Sequence, residues 1–184
     1  MVADAPVSGG VMGAANGTLT FMLGCRDEDF NAIKDLLDPM AGNVFHCGGS
    51  GAGQTAKICN NMALGIQMTS IAEALALGEK LGMDPKVLSD VMKVSTARCW
   101  SVDTCNPCPG VMEGVPSSNN YAGGFGVSLI KKDLSLMLEA ANEVEMRLAL
   151  GERVQKLYKQ LEEDGLGKKD FSVVYEHVKA QKIK

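Results

Sequence analysis

The apolar positions between Gly53 and Gly82 recur at helical spacing, and no proline interrupts them. Counting on from Lys57 by alternating fours and threes places Asn61, Leu64, Met68, Ile71 and Leu75 on one face. Ile58, Met62, Ile66, Ala72 and Ala76 occupy the other faces, so the pattern predicts one long helix buried on most sides. Gly65 and Gly78 are tolerated inside it, each at about 1 kcal/mol relative to alanine.

Ahead of that helix the pattern is shorter. Residues 2–7, 19–23 and 43–47 read as strands, and residues 27–37 read as an amphipathic helix with acidic residues in its first turn. Three short strands and one helix leave a sheet uncovered. Residues 1–47 therefore read as part of an α/β domain whose start is missing. From residue 48 to 184 the pattern is helical. Asp84 and Pro85 open a helix to Val94, and further helices are predicted near 128–143, 149–163 and 170–181. A loop rich in Pro, Gly, Ser and Asn fills residues 98–127. Loops of that length are functional or disordered more often than merely connective.

Composition narrows the function. The 184-residue chain has a net charge of −4 and no basic run, which argues against nucleic acid as a partner. No apolar stretch is long and free enough of polar residues to span a bilayer, and no targeting segment is visible after Met1. The six cysteines lack a repeating spacing, so reduced thiols are expected. Cys105 and Cys108 form the one CxxC. A zinc site would need two further ligands, for which Cys99 and His46 or His177 are the candidates, and the flanking Pro107 and Pro109 point to a loop rather than to a redox helix; no metal is expected.

The candidate chemistry lies in three places, each with two readings. A lysine and an asparagine share an otherwise apolar stripe at Lys57 and Asn61. Desolvation lowers the pKa of a buried lysine and suits it to proton transfer near neutral pH, and the neighbouring amide can hold a substrate hydroxyl or carbonyl. Alternatively, Lys57 reaches solvent at the helix start and Asn61 bonds to backbone. Ser8, Gly9 and Gly10 follow a strand and can converge backbone N–H groups on a carboxylate, or form an ordinary glycine turn. Lys132 shares a face with Leu129 and Leu136, which predicts that it points inward, while Lys131 aligns with Ser128 and Ser135. Gly51 and Gly53 make a GxG, but the third glycine and the acidic residue of a dinucleotide fingerprint do not follow.

Three stretches together resemble one family, the 3-hydroxyacid dehydrogenases related to 3-hydroxyisobutyrate dehydrogenase. DAPVSGG at 4–10 resembles its substrate-carboxylate loop, GAGQTAKICNN at 51–61 its GxGxxxKxxxN element, and FGVSLIKKDL at 125–134 its FxxxLxxKDL helix. The 98–126 loop is most similar to 3-hydroxyisobutyrate dehydrogenases within the family. The resemblance implies a mostly α fold, with an all-helical 6-phosphogluconate-dehydrogenase-like C-terminal domain at 48–184. Residues 1–47 would be a truncated α/β remnant of the NAD-binding domain.

The resemblance further implies Lys57 as general acid–base, and Ser8, Gly9, Gly10, Asn61, Trp100 and Phe125 as substrate-binding residues. Lys132 would face the NAD cofactor. The implied reaction is oxidation of 3-hydroxyisobutyrate to methylmalonate semialdehyde in valine catabolism, in the mitochondrial matrix of a eukaryote or otherwise the cytoplasm. A homo-oligomer paired through the helical domain is also implied. A tartronate or succinic semialdehyde reductase and a non-catalytic helical oligomerisation module are the alternatives. With most of the cofactor domain absent, the chain alone is expected to be inactive.

Overall fold

The computed structural model describes residues 2–181. They form two compact units that divide between Asn60 and Asn61, inside the long helix.

The first unit is built on the most apolar strand in the chain. β1 (Val7–Ser8), β2 (Leu19–Gly24) and β3 (Ala41–Gly48) make a three-stranded sheet in the order β1-β2-β3. β1 pairs antiparallel with β2, and β2 pairs parallel with β3. A parallel pair needs a crossover, and α2 (Phe30–Leu37) supplies it. Leu23 of β2 and Cys25 just after it are fully buried and pack with Ile33 of α2, with Phe30, Leu37 and Val44 around them.

The first strand is shorter than the apolar pattern predicts. Pro6 has no amide hydrogen to donate, so pairing is interrupted there. The Pro6 carbonyl still accepts from the Met22 amide at 2.9 Å, and Asp4 makes an isolated bridge with Gly24. A short helix, α1 (Gly10–Ala15), follows, which the apolar pattern does not show.

α3 (Ala52–Lys80) is the long helix, and it is helical without interruption across the division. Asn61, Met68, Ile71 and Leu75 of the expected stripe are buried, and Lys57 and Leu64 are half-buried. Burial on most sides does not hold, however. Cys59, Ala63, Ser70, Glu73 and Leu77 line an exposed face.

The second unit is all helical. α4 (Pro85–Val94) starts as predicted, with the Asp84 carboxylate accepting the Lys86 amide at 2.8 Å. α5 (Trp100–Asp103), α6 (Val127–Glu143), α7 (Ala149–Leu161) and α8 (Val174–Ala180) complete it. α7 ends in a wide turn at Glu162–Leu166, where Gly165 takes φ 82°. The core holds Met68, Leu75, Ile130, Leu134, Leu161 and Phe171, all buried to 1% exposure or less. The 98–127 loop has a core of its own. Val111, Val115 and Tyr121 are buried in it, and the Ser117 hydroxyl and Tyr121 hydroxyl donate to the carbonyls of Asn106 and Pro107 at 2.6 and 3.0 Å.

Candidate active site

In the first unit, the start of α3 is held by a residue far away in sequence. The Asp4 carboxylate accepts the Gly51 amide through one oxygen at 2.5 Å and the Gln54 amide through the other at 2.8 Å. Amides at a helix start lack partners within the helix, so a carboxylate there both satisfies donors and complements the helix dipole. A Cβ at Gly53 would run into the Met22 carbonyl and come within 2.7 Å of the same Asp4 carboxylate. The GxG is thus a close-packing and capping device. Its donors already serve a protein carboxylate, which explains why no dinucleotide fingerprint surrounds it.

Lys57 lies one turn beyond this clamp, half-buried. Elsewhere in the same unit, Ser8 pairs with Thr20 at the sheet edge, and Gly9 and Gly10 take φ values of 136° and 62°. A side chain at Gly9 would be strained by that backbone and would also press on Leu19, 3.0 Å from its Cβ. The turn therefore requires glycine, and it delivers the chain directly into α1.

In the second unit, Asn61 is buried to 2% exposure, and its amide nitrogen donates to Asp133 of α6 at 2.5 Å. Asp133 is itself buried, and its other oxygen lies 3.1 Å from the Lys132 ammonium. The expected inward Lys132 is therefore corrected. The buried stripe of α6 runs through Val127, Ile130, Asp133, Leu134, Met137 and Ala141. Asp133 takes the inward position, and Lys132 falls on the exposed stripe with Leu129 and Leu136, its side chain 63% exposed.

Trp100 and Phe125 are brought together by a residue the apolar pattern does not single out. Phe171 is fully buried. Trp100 stacks on it at 6.3 Å and Phe125 meets it edge-on at 5.8 Å. Asp133 and Phe171 are the two residues that sequence reasoning missed. For Asp133 the KKD motif was the available signal, because only one residue of that trio can face inward at helical spacing.

The CxxC residues Cys105 and Cys108 are buried free thiols. Burial pushes the Cys105 thiol up to about 12, and burial raises Cys108 as well. A redox CxxC needs the opposite shift. Among the described residues no three His, Cys, Asp or Glu side chains are grouped to hold a metal, and no helix is long and apolar enough to cross a membrane.

Known proteins supply the frame for these features. Residues 51–178 match the family model described as NAD-binding of NADP-dependent 3-hydroxyisobutyrate dehydrogenase. The chain belongs to the 3-hydroxyisobutyrate dehydrogenase family. Residues 1–49 also match the NAD binding domain of 6-phosphogluconate dehydrogenase. The chain is 49% identical over 178 residues to the mitochondrial 3-hydroxyisobutyrate dehydrogenase of Mus musculus, covering 97% of itself and 53% of that protein. It is 51% identical over 173 residues to a probable mitochondrial 3-hydroxyisobutyrate dehydrogenase of Dictyostelium discoideum, covering 94% and 54%. The chain thus spans about half the length of these family members.

Among solved structures, it superposes on the Mycobacterium tuberculosis 3-hydroxyisobutyrate dehydrogenase with L-serine, with a TM-score of 0.93 at 42% identity. That match covers 97% of this chain and 61% of the other. The Salmonella typhimurium 3-hydroxyisobutyrate dehydrogenase matches with a TM-score of 0.80 at 30% identity, covering 95% and 59%. Over the matched residues, this helical chain with its small three-stranded sheet shares the fold of the Mycobacterium tuberculosis protein.

Proposed function

We propose that this chain carries the acid–base and substrate-binding part of an NAD-dependent 3-hydroxyisobutyrate dehydrogenase. Its product would be methylmalonate semialdehyde, as in valine catabolism. The observation that carries the reading is the spacing of Lys57 and Asn61, four residues apart within α3, in a chain about half identical to dehydrogenases of that name.

The chemistry follows from the residues. 3-Hydroxyisobutyrate presents a carboxylate, a hydroxyl on C3 and a methyl group on C2. Ser8, Gly9 and Gly10 hold the carboxylate through the hydroxyl and the backbone donors that positive φ values allow. Asn61, whose amide nitrogen donates to Asp133 of α6, orients the substrate one turn along from Lys57. As the hydride leaves C3, the Lys57 amine takes the hydroxyl proton, and it returns that proton in the reverse direction. Bound NAD supplies the acceptor for the hydride. Trp100 and Phe125 keep water from the apolar side of the substrate.

Lys132 fits the cofactor. Its exposed ammonium between Leu129 and Leu136 pairs a positive charge with apolar surface, as a nicotinamide nucleotide with its phosphates requires. The amides of Gly51 and Gln54 do not fit a pyrophosphate, because the Asp4 carboxylate holds them. On this reading residues 1–47 belong to the NAD-binding α/β domain of the family and residues 48–184 to its helical substrate and dimerisation domain. The two family-model matches support that division.

A homo-oligomer paired through the helical domain is part of the proposal. It is supported by apolar side chains left exposed there, among them Leu81 and, on α4, Val87, Val91 and Val94. A mitochondrial location is supported by the names of the relatives. Calorimetric titration with 3-hydroxyisobutyrate, glycerate and 4-hydroxybutyrate in the presence of NAD tests the substrate. Preference for 3-hydroxyisobutyrate is expected. Preference for either of the other acids would reassign it.

A further inference from the structure

The segment that leads into α6 is fastened to residues 167–171, and the fastening converges on Phe125. The Phe125 amide donates to the Asp170 carboxylate at 2.7 Å, and the Phe125 carbonyl accepts from the Phe171 amide at 2.8 Å. Gly126 bridges Asp170 in antiparallel fashion, and the Val127 and Ser128 amides donate to the carbonyls of Lys169 and Gly167 at 2.9 and 3.1 Å. Even the residue before Phe125 is fitted to the same carboxylate. Gly124 takes φ 66°, and a Cβ there would collide with the Asp170 side chain.

Asp170 is buried to 1% exposure, and both its oxygens are used. One accepts Phe125; the other accepts the Ser172 amide and hydroxyl at 3.0 and 2.5 Å. Burying a carboxylate is costly unless every acceptor is satisfied. Here the carboxylate fixes two backbone amides, those of Phe125 and Ser172, and so ties Phe125 to the turn that carries Phe171.

Phe171 acts on the side chains. It is buried to 1% exposure, with its carbonyl accepting the Tyr158 hydroxyl at 3.2 Å. Trp100 lies stacked on its ring with 27° between planes, and Phe125 meets it at 71°. Both geometries are favoured for aromatic pairs. The two rings that rest on Phe171 are not buried like it: Trp100 is 44% exposed and Phe125 half-buried. A fully ordered base therefore carries two partly open aromatic surfaces. Small ligands are read well only by side chains whose rotamers are locked from behind, and that is the arrangement here.

We propose that Asp170 and Phe171 are positioning residues that fix Phe125 and Trp100 as an apolar wall reading the substituent on C2 of a 3-hydroxy acid. The inference rests on the substrate class proposed above. It adds the residues that set selectivity between a methyl group and hydrogen at C2. One methylene in an apolar pocket is worth roughly tenfold or more in discrimination.

Trp100 is the one tryptophan of the chain, so its emission reports on the wall directly. The test titrates the full chain, with NAD present, against 3-hydroxyisobutyrate and 3-hydroxypropionate, which differ by that methyl group. The proteins compared are wild type, Phe171→Leu, Asp170→Ala and Asp170→Asn. Wild type is expected to favour the methylated acid by about tenfold. Phe171→Leu and Asp170→Ala should lose most of that preference. Asp170→Asn, which keeps an oxygen for the Phe125 amide, should retain it.

Variants that melt cooperatively and keep the wild-type preference would overturn the proposal. So would Phe171→Leu and Asp170→Ala proteins that both fail to fold, since the pair would then be purely structural. Binding of neither acid by wild type would sink the substrate reading instead. In that case acrylamide quenching of Trp100 in the unliganded proteins still decides the positioning role. Stronger quenching in Phe171→Leu supports it, and unchanged quenching overturns it.

Discussion

The Asp4 carboxylate accepts the Gln54 amide at 2.8 Å, although the two residues are 50 positions apart. With the Gly51 amide on its other oxygen, Asp4 caps the helix that carries Lys57. Losing a capping carboxylate costs about 0.5–2 kcal/mol. Asp4→Ala should lower the unfolding free energy by about that amount in urea titrations, and Asp4→Asn by less. An Asp4→Ala protein as stable as wild type would mean that other groups satisfy those amides.

Glu79 ties α3 to α8. Its carboxylate accepts the Lys179 ammonium at 2.8 Å and the Tyr175 hydroxyl at 2.7 Å. The hydrogen bond from Lys179, then that from Tyr175, hold the Glu79 carboxyl below its ordinary range. Because the folded pKa is depressed, the contribution to stability is present above the unfolded value, near 4.3, and is lost as the pH falls through the folded one. The site is partly exposed, so the contribution is less than about 1 kcal/mol. Urea titrations of wild type and Glu79→Gln should differ at neutral pH and converge in acid. A difference that persists unchanged in acid would assign the effect to packing.

Val87, Val91 and Val94 stand at helical spacing along α4, and all three are exposed. Such a stripe suits an obligate interface, which is larger and more apolar than a transient one. Light scattering on the purified chain should give at least a dimer. Val91→Asp should shift the equilibrium toward monomer if α4 takes part. A monodisperse monomer of the wild-type chain would contradict the proposed assembly.

Much of the helical architecture was legible in the order of residues, and the reasons are local. α4 announces itself by Asp84 and Pro85, whose capping and φ preferences need no distant partner. α3 is legible because its period persists over eight turns. What could not be read depends on partners far along the chain. Asp4 looks like one residue of a strand until the α3 start is seen above it. Phe171 looks like any core aromatic until Trp100 and Phe125 are found resting on it.

Lys132 shows the limit of face counting. Its neighbours Leu129 and Leu136 are apolar, which suggested an inward face, yet all three are exposed. An apolar stripe marks a surface to be covered. It does not say whether the same chain, a partner or a ligand covers it. The buried member of the motif is the acidic Asp133, because the Asn61 amide gives its carboxylate a buried partner.

In the proposed mechanism Lys57 moves the proton. That role is tested most directly by the turnover of 3-hydroxyisobutyrate with NAD, followed by NADH absorbance, in a chimaera. That protein joins this chain to the part of the Mus musculus dehydrogenase outside the match. Removing a general acid–base costs about 10²–10⁴-fold in rate. Lys57→Ala should therefore lower kcat by about that factor while changing KM far less. A Lys57→Ala enzyme that keeps more than about a third of the wild-type kcat, well short of a general acid–base loss, would show that another group carries the proton.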